Sequence, residues 1–138
     1  MPEQSVWMIR LSMIYLLIAI TIGGVLLIHK STPLHPGVWA LLPVHFELAI
    51  WGWLVQFVMG TAYWMFPRHL TGEARGADAR GWIVFLLFNA GVLLLVGGHL
   101  LATLPILRVL ARGSLLISIL LFITLMWNRV VTYRDLHD

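Results

Sequence analysis

His45 and His99 lie in two separate apolar runs, and imidazole is a side chain that ligates iron, copper and zinc as well as moving protons. The two runs are joined by one polar connector, and counting along each run from it brings both histidines to the same depth. Two facing imidazoles in hydrocarbon are the minimal socket for a haem iron. The chain has no cysteine, which removes disulfides, thiolate-held iron–sulfur clusters and covalent haem attachment. The expected cofactor is therefore a non-covalent haem b, with His45 and His99 as its axial metal ligands.

Other residues fall into register with this pair. The second run goes toward the connector and the third away from it, so residues at equal depth have position numbers that add to a near-constant total. His45 with His99 adds to 144 and Gln56 with Asn89 to 145, so both pairs fit one register. At a rise of about 1.5 Å per residue the histidines lie about 8 to 9 Å below their helix ends, with the amides about 15 Å deeper. Gln56 and Asn89 are read as a structural hydrogen-bonded pair. The helical period places Gly52 and Gln56 on the face of His45, and a glycine there leaves room for a flat macrocycle. Gly91, Gly97 and Gly98 thin the third run in the same way, although small residues also serve plain helix packing.

Arg108 and Arg112 are one helical turn apart at the same membrane surface. They are expected either to meet haem propionates or to snorkel to lipid head groups. Glu47 is read as facing away from His45, where it pairs with a basic residue or relays protons. His29, His35, His45 and His99 share one side of the membrane, which leaves open a copper or zinc site; His29 is also an alternative sixth ligand. His69 and His137 are expected to be solvated on the other side.

The elements that position these residues follow from hydropathy. A chain of 138 residues with 60% apolar and 11% charged content and a mean hydropathy of +0.91 lies outside the soluble globular range. Spans long enough to cross a bilayer are predicted at Val6 to His29, Trp39 to Phe66, Gly81 to Leu104 and Ile106 to Trp127. The first carries no small-residue cleavage pattern and is read as a retained helix. The turn-rich stretch from His29 to Gly37 ends helix 1, Pro43 is tolerated in the first turn of helix 2, and Pro105 sits at a tight hairpin between helices 3 and 4. The expected fold is an all-α membrane protein, a single four-helix transmembrane domain over residues 1–138.

Arg10, Arg68, Arg75, Arg80, Arg129 and Arg134 fall on one side, and Lys30, Arg108 and Arg112 on the other, so both termini are expected to be cytoplasmic. Trp7, Trp64, Trp82 and Trp127 mark that same boundary as ring anchors. The formal charge of +3 comes from residues bracketing the spans, so the expected partner is the lipid bilayer and not nucleic acid.

The stretch Pro43-Val44-His45-Phe46-Glu47-Leu48-Ala49-Ile50-Trp51-Gly52-Trp53, continued by Gly60-Thr61-Ala62-Tyr63-Trp64-Met65-Phe66-Pro67-Arg68, resembles the second helix of subunit I of the haem–copper oxidase and nitric oxide reductase superfamily. The chain is also similar to small four-helix membrane proteins described as oxidase-subunit-I-like. The resemblance implies that His45 ligates a low-spin haem, that Gly52 and Trp53 are its Gly-aromatic element, and that Phe66-Pro67-Arg68 closes the helix. The closely spaced histidine pair and the copper histidines of the large family have no counterpart here. A complete oxygen or nitric oxide reductase is thus not implied, and His99 rests on depth alone.

Taken together, the sequence predicts a b-type cytochrome of a bacterial or archaeal cytoplasmic membrane, transferring single electrons to or from a quinol or a redox protein. Its haem lies between helices 2 and 3, or is shared by one histidine from each subunit of a homodimer. The alternatives are a haem-free structural or assembly subunit of a respiratory complex and a copper- or gas-binding membrane protein.

Overall fold

A computed structural model describes residues 1–66, 79–101 and 105–127. Four helices lie within them: α1 (Glu3–Ser31), α2 (Pro36–Met65), α3 (Ala79–Leu100) and α4 (Pro105–Trp127), each long and apolar enough to cross a membrane. The chain is an all-helical integral membrane protein. The expectations placed on Pro67, Arg68, His69, Arg75, Arg129, Arg134 and His137 lie outside the described residues, as do residues 102–104. Arg80, expected in the connector, belongs to the first turn of α3.

Each boundary has a local cause. The α1 helix stops before Thr32, whose extended backbone precedes Pro33. His35 then caps the start of α2, its Nδ1 accepting from Gly37 N–H at 3.0 Å, and Pro36 fills the first position, where no backbone donor is needed. A 3₁₀ turn over Pro36–Ala40 leads into α-helix at Leu41–Glu47. From Leu48 to Val55 the same helix widens to π geometry, returning to α-helix at Gln56–Met65. Such stretches are rare in long helices and recur near functional residues.

The helices pack as two antiparallel pairs, α1 along α2 and α3 against α4, joined where the Leu41–Glu47 turn of α2 meets α3. One buried cluster includes Met8, Tyr15 and Ala19 of α1, Val44 and Leu48 of α2, Phe88, Val92 and Leu95 of α3, and Ala111 and Leu115 of α4. Lipid tails are as apolar as these side chains, so close packing and interhelical hydrogen bonds hold the pairs together. Ser5 donates to the Gly60 carbonyl at 2.6 Å, and Ser114 and Ser118 donate to the carbonyls of Leu87 and Val84 at 2.7 and 2.9 Å. Gly91 lets α4 approach: a Cβ there would stand 2.8 Å from Leu115 Cγ. Leucines such as Leu17, Leu27, Leu86, Leu93 and Leu116 are exposed, facing where the hydrocarbon would be.

Candidate functional site

His45 projects from α2 onto α1. Its Nδ1 lies 2.8 Å from the carbonyl oxygen of Ala19. A carbonyl only accepts, so Nδ1 carries a proton, and the tautomer this bond selects has its lone pair on Nε2. Gly23 makes this approach possible, because a Cβ there would sit 2.8 Å from His45 Cε1. The residue that clears the space is one turn along α1 from the residue that accepts the hydrogen bond.

A cavity of about 530 Å³ opens beside the ring between α1 and α2, lined by Gly23, Gly24, Leu27, Lys30, Trp39, Leu42, His45 and Phe46 among others. Its size falls in the range of about 300–1,000 Å³ typical of cofactor and small-molecule sites. The walls are apolar apart from His45 and Lys30, and Phe46 tilts against the imidazole with 5.6 Å between ring centroids. Nε2 of His45 makes no hydrogen bond among the described residues. The groove thus combines a lone-pair nitrogen of fixed orientation, planar neighbours and one cation. That set fits an axial ligand for a flat metallated macrocycle with an acidic substituent.

The remaining expected site residues are placed elsewhere. Gly52 does lie on the face of His45, yet that face meets α1: a Cβ on Gly52 would stand 2.8 Å from Tyr15 Cγ, so the tyrosine ring fills the space expected for a macrocycle. Gln56 and Asn89 do not pair with each other. Gln56 Nε2 donates to the Met8 carbonyl at 3.2 Å, and Asn89 Oδ1 accepts from the Tyr15 hydroxyl at 3.0 Å. In both cases α1 supplies the partner that was expected from across α2 and α3. Gln56 Oε1 is buried and has no partner among the described residues.

His99 turns to a different neighbour. Its Nε2 lies 3.3 Å from Glu47 Oε1, and the same oxygen accepts from Arg112 at 2.5 Å. One carboxylate on α2 therefore joins α3 and α4, with its side chain 10% exposed and the arginine 51% exposed. Arg112 also stands over Trp51, with 6.0 Å from Cζ to the ring centroid. This ion cluster realises the expected pairing of Glu47 with a base. It is also where His99 and Arg112 spend the polar atoms assigned to a haem. Arg108 is exposed, its stem laid on Gly98 of α3.

His29 is buried, and its Nδ1 accepts from Leu34 N–H at 3.0 Å while its ring meets Trp39 edge-on. It closes the connection between α1 and α2. Among the described residues no three His, Cys, Asp or Glu side chains gather as a metal-holding group, so the four histidines at this end do not form one shared site.

Sequence reasoning missed Ala19, Gly23 as the seat of the imidazole, and Lys30. The signal was present. The antiparallel register used for helices 2 and 3 applies equally to helices 1 and 2, where Ala19 with His45, Met8 with Gln56 and Ser5 with Gly60 give nearly constant totals. Lys30 is the only lysine in the chain, at the end of α1 nearest His45.

These features define a four-helix integral membrane bundle with a histidine-lined groove and a separate three-helix ion cluster. The chain matches no family model, no curated protein and no solved structure.

Proposed function

We propose that the chain is a membrane-embedded b-type cytochrome whose haem occupies the α1/α2 groove with His45 as an axial ligand. The observation that carries this reading is the Nδ1–H of His45 donated to the Ala19 carbonyl, the arrangement by which proteins fix the tautomer and raise the basicity of a metal-bound imidazole. Lys30 is the cation available in the groove for a propionate. Bound there, the haem supplies one-electron transfer, and a quinol or an extracytoplasmic redox protein is the proposed electron partner.

For His99 to supply the second axial ligand through Nε2, its ring has to leave Glu47. The homodimer arrangement requires no such rearrangement, because the groove is open and a second copy can bring its own His45. We place the protein in a bacterial or archaeal cytoplasmic membrane with both termini inside and the groove in the external leaflet, on the bias of the basic residues.

Purification of His45→Ala beside the unmodified chain tests the reading. Loss of a haem b absorption spectrum with the helical content intact supports it, and a variant as pigmented as the parent refutes it. A second reading is a haem-free helical subunit that docks in a larger respiratory complex. It is favoured by Gly52 and His99 already having protein partners, and it expects both purified proteins to be colourless.

A further inference from the structure

Arg108 and Arg112 lie outside the α1/α2 groove, and their charges are unequally met. Of the acidic residues among those described, Glu47 belongs to the histidine-bearing end and Glu3 opens α1 at the opposite end; the other four lie in sequence between α2 and α3 or after α4. Glu47 is already shared by Arg112 and His99. Arg108 makes no hydrogen bond or ion pair among the described residues.

Arg108 is nevertheless held in place. A Cβ on Gly98 would lie 2.8 Å from Arg108 Cγ and 3.2 Å from its backbone nitrogen, so the stem is pressed against α3 while the residue as a whole stays exposed. One turn further along α4, Arg112 is fixed by Glu47 and Trp51 and still exposes half its side chain. Arg108 lies in the first turn of α4, where the helix dipole repels positive charge. Next to them Ile106, Val109 and Leu110 are exposed and apolar. Two forked donors at a membrane surface, excess positive charge and an adjoining apolar face match a phosphodiester carrying acyl chains.

We propose that Arg108 and Arg112 form a binding site for the phosphate of an anionic phospholipid at the α2/α3/α4 junction. The site is independent of whatever fills the α1/α2 groove, and it is testable whether or not the protein is pigmented. Native mass spectrometry of the full chain in detergent, supplied with equal amounts of phosphatidylglycerol and phosphatidylcholine of the same acyl chains, reads the preference directly. The unmodified protein is expected to retain phosphatidylglycerol over phosphatidylcholine. Arg108→Gln is expected to lower that preference about fivefold, the effect of about one basic residue near a charged surface. Arg108→Lys, which keeps the charge and loses the fork, is expected to fall between, and Arg10→Gln at the opposite end is expected to leave the preference unchanged. Equal retention of the two lipids by the unmodified protein overturns the proposal, as does an equal loss in Arg108→Gln and Arg10→Gln. Displacement of the lipid by millimolar inorganic phosphate alone also overturns it, since that marks a site for a free anion.

Discussion

Gly23 and Gly24 are neighbours on α1, and the reading of His45 requires that adding one methyl group to each has opposite consequences. A Cβ on Gly23 stands 2.8 Å from His45 Cε1, whereas one on Gly24 meets nothing within 4 Å. Ordinary contact begins near 3.4 Å, so in Gly23→Ala the ring must retreat by about 0.6 Å, the difference between the two distances. It moves away from the Ala19 carbonyl to which it is bonded at 2.8 Å. Overpacking costs about 1–3 kcal/mol, and the lost hydrogen bond about 1 kcal/mol more. The better helix propensity of alanine offsets about 1 kcal/mol of this. In the haem-free chain Gly23→Ala is therefore expected to destabilise by roughly 1–3 kcal/mol, and Gly24→Ala, with the propensity gain alone, to stabilise by up to about 1 kcal/mol. Equilibrium unfolding in mixed micelles with increasing dodecyl sulfate, followed by circular dichroism, compares the pair. Equal stability of the two variants, or a more stable Gly23→Ala, would refute the placement of the imidazole on α1.

The ion cluster gives a second expectation: Arg112→Leu leaves a nearly buried carboxylate with His99 alone and is expected to cost roughly 2–3 kcal/mol, between the values for exposed and buried pairs. The double variant Glu47→Leu, Arg112→Leu is expected to recover part of that loss in the same unfolding assay, and strict additivity would count against the pairing. Gly52→Ala is expected to destabilise by about 1–3 kcal/mol through Tyr15, which stands 2.8 Å from the new Cβ; a neutral effect would mean that the ring is not packed there. Tyr15→Phe removes the 3.0 Å bond to Asn89 and is expected to cost about 0.6 kcal/mol, the average for hydrogen bonds between membrane helices, and no more than about 1.7 kcal/mol.

The four spans were legible because a bilayer demands long apolar runs, and their observed ends differ from the expected ones by only a few residues at each limit seen. The face shared by His45, Gly52 and Gln56 was legible too, from helical period alone. Which helix that face meets was not. An antiparallel register fits either neighbour of α2, and depth says nothing about direction around the helix axis. Tyr15 decided the matter: its ring fills the notch at Gly52 and its hydroxyl takes Asn89, and an aromatic residue in an apolar run gives no sign of such a contact beforehand. The pairing of Glu47 was foreseen as a possibility because an isolated carboxylate at that depth is costly. The choice of Arg112 and His99 as its partners depends on how α3 and α4 dock beside α2, which has no sequence signature here. Arg108 and Arg112 share a helix face as spacing required, and that face meets Glu47 and Trp51 of α2 and Gly98 of α3, not the groove beside α1.

The account depends most on His45 presenting a free nitrogen to a haem, and the direct test is the reduced-minus-oxidised visible spectrum of the detergent-purified protein, taken with its haem-to-protein ratio. The expected result is a sharp α band and Soret band of imidazole-ligated haem b, at a ratio of one haem per chain, or one per two chains if two copies share it. A pure, folded and colourless protein that takes up no added haem would contradict it.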